Sequence, residues 1–158
     1  MYKKILVPHD CLRMSSEALR HAINIAKPSA ESSVIILLHV IQEFPVPHLL
    51  ERPMRPHGKR KAPSTSMYVS DLYGQIRSKI SEVLDKEEEL CVKEGIRAQT
   101  KIVVGRPADQ ILSFAKREKI DLIVIGSTRL KGLLRIKGLG SVSRNVAEKS
   151  LCPILTVR

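Results

Sequence analysis

Short apolar runs alternate with longer amphipathic stretches along this chain, and that alternation restricts the fold more than any other feature. The runs are Lys4 to Val7 (KILV), Val34 to Val40 (VIILLHV), Ala98 to Val104, Leu122 to Ile125 (LIVI) and Pro153 to Val157. Each is long enough for a strand and too short for a helix of its own. The second is apolar throughout, as a strand covered on both faces should be; the third alternates enough to sit near a sheet edge. Ser15 and Ser16 offer N-caps for a first helix whose Ala18, Leu19, Ala22, Ile23 and Ala26 share one face, and Pro28 closes it. A long helix is expected from Val69 to Lys93, with Leu72, Ile76, Ile80, Val83, Leu84 and Leu90 as its buried stripe and Gly95 at its end. Pro107 suits the first position of a third helix with Ile111, Leu112, Phe114 and Ala115 inward. A short fourth helix, from about Ser141 to Lys149, buries Val142, Val146 and Ala147. Strands alternating with helices imply a parallel sheet with helices on both faces and right-handed crossovers. For five strands the orders 3-2-1-4-5 and 2-1-3-4-5 both satisfy this pattern.

At 158 residues the chain fits a single domain with its own core. Regular structure breaks down from about 42 to 66, where Pro45, Pro47, Pro53, Pro56 and Pro63 accumulate. A stretch of that length in a small domain is a lid, a binding element or disordered. The net charge of +11 is concentrated there, in Arg52, Arg55, Lys59, Arg60 and Lys61, and again in Arg129, Lys131, Arg135 and Lys137. Such charge supports attraction to nucleic acid, anionic lipid or a polyphosphate. With three Tyr, two Phe and no Trp, a base-stacking platform is poorly supplied, so nucleic acid is the weaker partner. No apolar run approaches the roughly 20 residues of a membrane span, and the cytoplasm is the expected compartment. Cys11, Cys91 and Cys152 lack CxxC spacing, and His48 and His57 lack metal-ligand spacing, so no disulfide framework or metal site is expected.

The stretch from Asp121 to Ser143 carries the functional signal. An apolar strand ends at Gly126-Ser127, a loop rich in Gly, Lys and Arg follows, and Gly140-Ser141 opens a helix. Glycines let a backbone approach an anion, and the unpaired N–H groups of a first helical turn point at it. In the order 3-2-1-4-5 the switch point lies between strands 1 and 4, where open α/β sheets take their ligands. The loops there are Pro8-His9-Asp10 and Gly126 onward, so loop chemistry and topology select the same place. Asp10 suits a ribose hydroxyl or a phosphate-bound metal, or the capping of its own turn; Ser141 reads as both N-cap and phosphate ligand. His9 reads as a loop histidine without a task, His39 as a hydrogen-bonded core histidine, and Asp85 to Glu89 as the wet face of a helix. No nucleophile elbow, HExxH or Walker A lysine motif occurs, and no residue is marked to position water in line. Catalysis is therefore not expected beyond a slow, incidental ATPase.

Four segments taken together resemble the universal stress protein family: ILVPHD, LHV closing strand 2, GRPADQIL after strand 3, and IVIGS with GLGSVSRNVAEKSLCPILTV at the end. The resemblance covers nearly the whole chain outside the 42–66 insertion. It implies a Rossmann-like, adenine nucleotide alpha-hydrolase-like sheet of order 3-2-1-4-5, and a homodimer joined through the final strand. It also implies binding of ATP, or of AMP or ADP, with Mg2+ as a possible companion. By resemblance Pro8 and Asp10 line the adenosine end and Val40 packs on the base. Gly126, Ser127, Arg129, Gly132, Gly140, Ser141, Val142 and Ser143 belong to the phosphate loop. The family's ATP binders carry G-x2-G-x9-G-[S/T]; here Arg129 replaces the second glycine and thirteen residues separate Gly126 from Gly140. A phosphate would then meet a guanidinium at Arg129. Cys11-Leu12 replaces the Gly-Ser that usually follows the aspartate. The expected function is a stress-related regulatory module that senses a nucleotide. The alternative is an interaction protein of the same fold whose pocket is closed.

Overall fold

The computed structural model describes residues 1–42, 65–127 and 140–158. Apart from its margins, the 42–66 insertion lies outside them, with its basic cluster, His48 and His57; so does the loop carrying Arg129 and Gly132. The chain runs β1 (Lys4–Pro8), α1 (Arg13–Ala26), a 3-10 turn (Lys27–Ser29), β2 (Val34–Gln42), α2 (Thr65–Lys93), β3 (Arg97–Gly105), α3 (Pro107–Glu118), β4 (Leu122–Gly126), α4 (Ser141–Lys149) and β5 (Ile154–Val157). The five strands form one sheet of order β3-β2-β1-β4-β5, every pair parallel, which settles the choice between the two candidate orders.

Strand periodicity divides the interior into two cores. Ile5, Val7, Ile35, Leu37, Leu122 and Val124 join α1 and α2 residues on one face of the sheet. Leu6, Ile36, Leu38, Ile123 and Ile125 join α3 and α4 residues on the other. Adjacent residues of a strand point to opposite faces, so continuous apolar runs are what a sheet covered on both sides requires. Among the described residues no helix is long and apolar enough to cross a membrane.

Three local expectations are corrected. α1 starts at Arg13 with Leu12 as its N-cap, not at Ser15 or Ser16. No side chain caps the helix; the Asp10 carboxylate instead accepts the Leu12 N–H (3.0 Å) and the Ser15 hydroxyl (2.7 Å), which fixes the turn that leads into it. α4 takes Gly140 as N-cap and Ser141 as its first helical residue; Ser143 and Val146 are buried while Ala147 is exposed. α2 begins at Thr65 instead of Val69, and only part of its expected stripe is covered. Leu84 is fully buried, whereas Leu72 and Ile76 are 57% and 37% exposed. Length explains this: 29 helical residues span about 43 Å, against about 30 Å for the 9 residues of β3. The N-terminal turns of α2 therefore overhang the sheet they would need for burial.

Candidate functional site

β1 and β4 are neighbours in the sheet, but the chain leaves them toward opposite faces, into α1 and α4. Each strand's ladder is carried one residue further by its outer neighbour: His9 N–H donates to Leu38 O (2.9 Å) and Ser127 N–H to Val157 O (2.8 Å). The divergence opens a cleft of about 280 Å³ between the two strand ends. Its lining includes Pro8, Asp10, Val40, Gly126, Ser127, Gly140, Ser141, Val142 and Ser143, so the structure brings together every expected site residue that it describes.

The lining of the cleft combines the apolar Leu38, Val40, Pro107, Ile111 and Ile125 with the N-terminus of α4. Gly140 contributes no side chain to cap this helix, and the first turn carries no acid. The first intrahelical bond is made by Arg144 N–H to Gly140 O (3.0 Å), which leaves the N–H groups of Ser141, Val142 and Ser143 without a partner within the helix and with none among the other described residues. A helix end of this kind presents the equivalent of about half a positive charge. The described lining contains no Lys or Arg, and Asp10 is its one carboxylate, so attraction for an anion here rests on backbone.

Local chemistry holds that helix end in place. Gly140 N–H donates to Ser127 Oγ (3.3 Å), the Ser127 and Ser143 hydroxyls lie 3.2 Å apart, and Ser143 Oγ donates to Gly140 O (3.0 Å). Both serines are buried and satisfy each other, so they fasten α4 to the end of β4. Gly126 has a steric reason of its own: a Cβ there would lie 2.4 Å from the Met14 carbonyl oxygen of α1. Gly140 has none, since a Cβ would meet only Ser143 Oγ at 3.6 Å and its φ of −62° suits any residue. Bulk at Gly140 would intrude on the cleft and on little else.

The opposite wall is a strained turn. Cys11 holds φ +63°, a region an L-residue enters at a cost of roughly 1–2 kcal/mol. Its N–H donates to His9 Nδ1 (3.2 Å). His9 is not idle, as the sequence suggested: it is 2% exposed, and its Nε2 lies 3.4 Å from Glu87 Oε1 of α2. Burial lowers its pKa from 6.5, against opposing pulls from Glu87 and Asp10. Glu87 also accepts the Ser16 hydroxyl, which removes it from the wet face assigned to Asp85–Glu89; Asp85, Lys86 and Glu89 remain exposed. The spacing Leu84, Glu87, Cys91 was the available signal, since it sets an acid on the apolar stripe. His39 is hydrogen-bonded as expected, its Nδ1 donating to His9 O (2.7 Å), and burial lowers its pKa too. The Cys11 thiol, 3.7 Å from that nitrogen, has its pKa raised by burial and is not activated. Among the described residues no group of three His, Cys, Asp or Glu is placed to hold a metal ion.

A parallel sheet that reverses strand order beside a helix N-terminus defines a Rossmann-like α/β protein, with a cleft at the switch point. Within that class the chain belongs to the universal stress protein family, whose model matches residues 1–158. It is similar to universal stress protein MJ0531 of Methanocaldococcus jannaschii, 35% identical over 159 residues that span 100% of this chain and 83% of the relative. The solved structure of protein MJ0577 of the same organism superposes with a TM-score of 0.77 at 30% identity, covering 99% of this chain and 96% of that one. A universal stress protein solved in complex with cAMP shares the fold at a TM-score of 0.67 and 22% identity, covering 99% and 97%.

Proposed function

We propose that this protein binds an adenine nucleotide, ATP first among them, and acts as a stress-related regulatory or signalling module in the cytoplasm. The N-terminus of α4, lining one cleft with Asp10 and a set of apolar side chains, is the observation that carries this reading. The apolar lining suits a purine, with Val40 and Pro8 against the base and sugar. The amides of Ser141, Val142 and Ser143 suit phosphate oxygens. Asp10 presents both of its hydrogen bonds on Oδ1, to Leu12 N–H and Ser15, and is the carboxylate available to a ribose hydroxyl or to a Mg2+ ion arriving with the phosphates. A relative of the same fold holds cAMP, which supports the adenine class without choosing among its members. In this reading occupancy, not turnover, is the signal. A second copy pairs along β5, whose outer edge faces no described strand. Equilibrium dialysis with labelled ATP, ADP and AMP, beside mass spectrometry of the molecule that co-purifies, tests the reading. Saturable binding of one nucleotide per chain supports it; no binding of any of the three overturns it.

A further inference from the structure

We propose that the groove between the C-terminal ends of α3 and α4 is a docking site for an acidic segment of a partner protein, which seats an apolar side chain on the groove floor and its carboxylates against Lys116, Lys119 and Lys149. The groove and the cleft border opposite ends of the same two helices, so a partner here engages α3 and α4 without covering the cleft. Nothing about the groove requires a nucleotide.

The groove encloses about 540 Å³, against about 280 Å³ for the cleft. Its apolar surface comes from Leu112, Ala115, Ile120, Leu151 and Cys152. Leu151 is 88% exposed in the turn between α4 and β5 and belongs to neither core. Ser150 ties that turn to itself: its Oγ donates to Cys152 O (3.0 Å) and accepts the Cys152 N–H (3.2 Å). What the groove offers a partner is therefore apolar surface and three ammonium groups. Its lining holds no Asp or Glu, and none of the three lysines is held in an ion pair among the described residues. Lysines in the last turns of α3 and α4 also complement the helix dipoles, which accounts for Lys116 and Lys149 but not for Lys119. Lys119 ends α3 at φ +53°, a left-handed position that glycine would fill without strain. A lysine kept there against that cost, lining a groove, points to a use for its charge. Complementary charge then asks for carboxylates, and the apolar floor asks for an anchor among them. A concave groove takes a protruding side chain, whereas a membrane surface is met by a helix face lying flat on it. The chain's own basic stretch between 52 and 61 has the wrong sign to fill the groove.

The test is an NMR titration of the full chain, without nucleotide and at low salt, with an acetylated peptide in which Glu and Asp flank a central pair of leucines. The expected result is saturable shifting of the Ala115, Ile120, Leu151 and Cys152 amides, with affinity falling as salt rises. Serine in place of the peptide's leucines should weaken binding at least about tenfold, the worth of one buried apolar side chain. The triple variant Lys116→Glu, Lys119→Glu, Lys149→Glu should weaken it about tenfold. The same change of net charge at Arg20, Lys79 and Lys101, exposed residues elsewhere, should cost much less. Lys119→Gly separates recognition from folding, since it should raise the thermal unfolding midpoint while weakening the peptide about threefold. A Lys119 that only closes its helix gives the first effect without the second, and that result overturns the proposal. Binding that follows net charge alone, equal in the two triple variants and indifferent to the leucines, also overturns it, as does the absence of shifts at these amides. Without peptide binding, two further results assign the surface elsewhere and overturn an acidic partner segment. One is binding to phosphatidylglycerol vesicles that the groove variant abolishes, which marks a membrane contact. The other is self-association in sedimentation that the same variant abolishes, which marks a contact with a second copy.

Discussion

The chain beyond β4 and the loop beyond β1 face each other across one cleft and are built by different chemistry. Among the described residues the β4 side is backbone: Gly126 pressed against Met14, an α4 start that no described side chain caps, and two serines that fix Gly140. The β1 side is side chains: a carboxylate, an imidazole and a thiol around a residue with positive φ, tied to a helix on the far face. Backbone amides hold their polarity at every pH, whereas the opposite wall carries His9, whose pKa burial lowers from 6.5. A single pocket therefore joins a wall of amides to a wall of titratable side chains.

The sharpest way to break this contrast is at Gly126. Gly126→Ala should cost about 3 kcal/mol in urea unfolding, because the new methyl meets the α1 backbone, which cannot move aside cheaply. A neutral result would mean that the close approach does not hold the β4 wall. Gly140→Asp comes next, and its two effects carry opposite signs. An aspartate at this extended N-cap position should raise stability by a few tenths of a kcal/mol by capping α4, since glycine is itself a tolerated N-cap. It should also lower ATP affinity at least about tenfold by placing a negative group where phosphate is expected. Thermal denaturation and equilibrium dialysis on the same sample check both halves.

On the β1 wall, Cys11→Gly should stabilise by roughly 0.5–1 kcal/mol, since glycine occupies the left-handed region without strain. Denaturation of wild type and variant side by side measures it. The smallest expected effect is on pH. His9 and His39 both have folded pKa values below 6.5, so between those values and 6.5 the unfolded chain binds more protons. Stability should be fully present above pH 6.5 and decline as pH falls below it, with His9→Asn reducing the decline. Unfolding midpoints collected from pH 5 to 8 supply the check.

Much of this architecture is legible in the residue pattern, because period-two and period-3.6 burial are local properties. The ends of β4 and α4 follow from the run Leu122 to Ile125 and from Gly140-Ser141, and Pro107 marks the start of α3. The work of His9 is not legible that way, since its partner on α2 lies far along the chain; Glu87 is 71 residues from Ser16. The start of α1 escaped for a related reason. Ser15 and Ser16 look like caps in sequence, but Leu12 takes the N-cap position, and the Ser15 and Ser16 hydroxyls are turned to Asp10 and Glu87. Gly126 was expected to let the backbone approach an anion; it lines the cleft, and the space beside it is also required by α1, which the sequence did not signal. The exposed Leu72 and Ile76 show the limit of amphipathic reasoning: a helix can carry an apolar stripe past the end of the sheet that covers it.

The central claim is that the amides at the start of α4 receive the phosphates of an adenine nucleotide. Amide chemical-shift mapping with ATP, and separately with adenosine, tests it most directly. The account predicts that ATP moves the Ser141, Val142 and Ser143 amides, whereas adenosine moves Val40 and its neighbours and leaves those three in place. ATP shifts confined to other surfaces, with the three α4 amides unmoved, would contradict it.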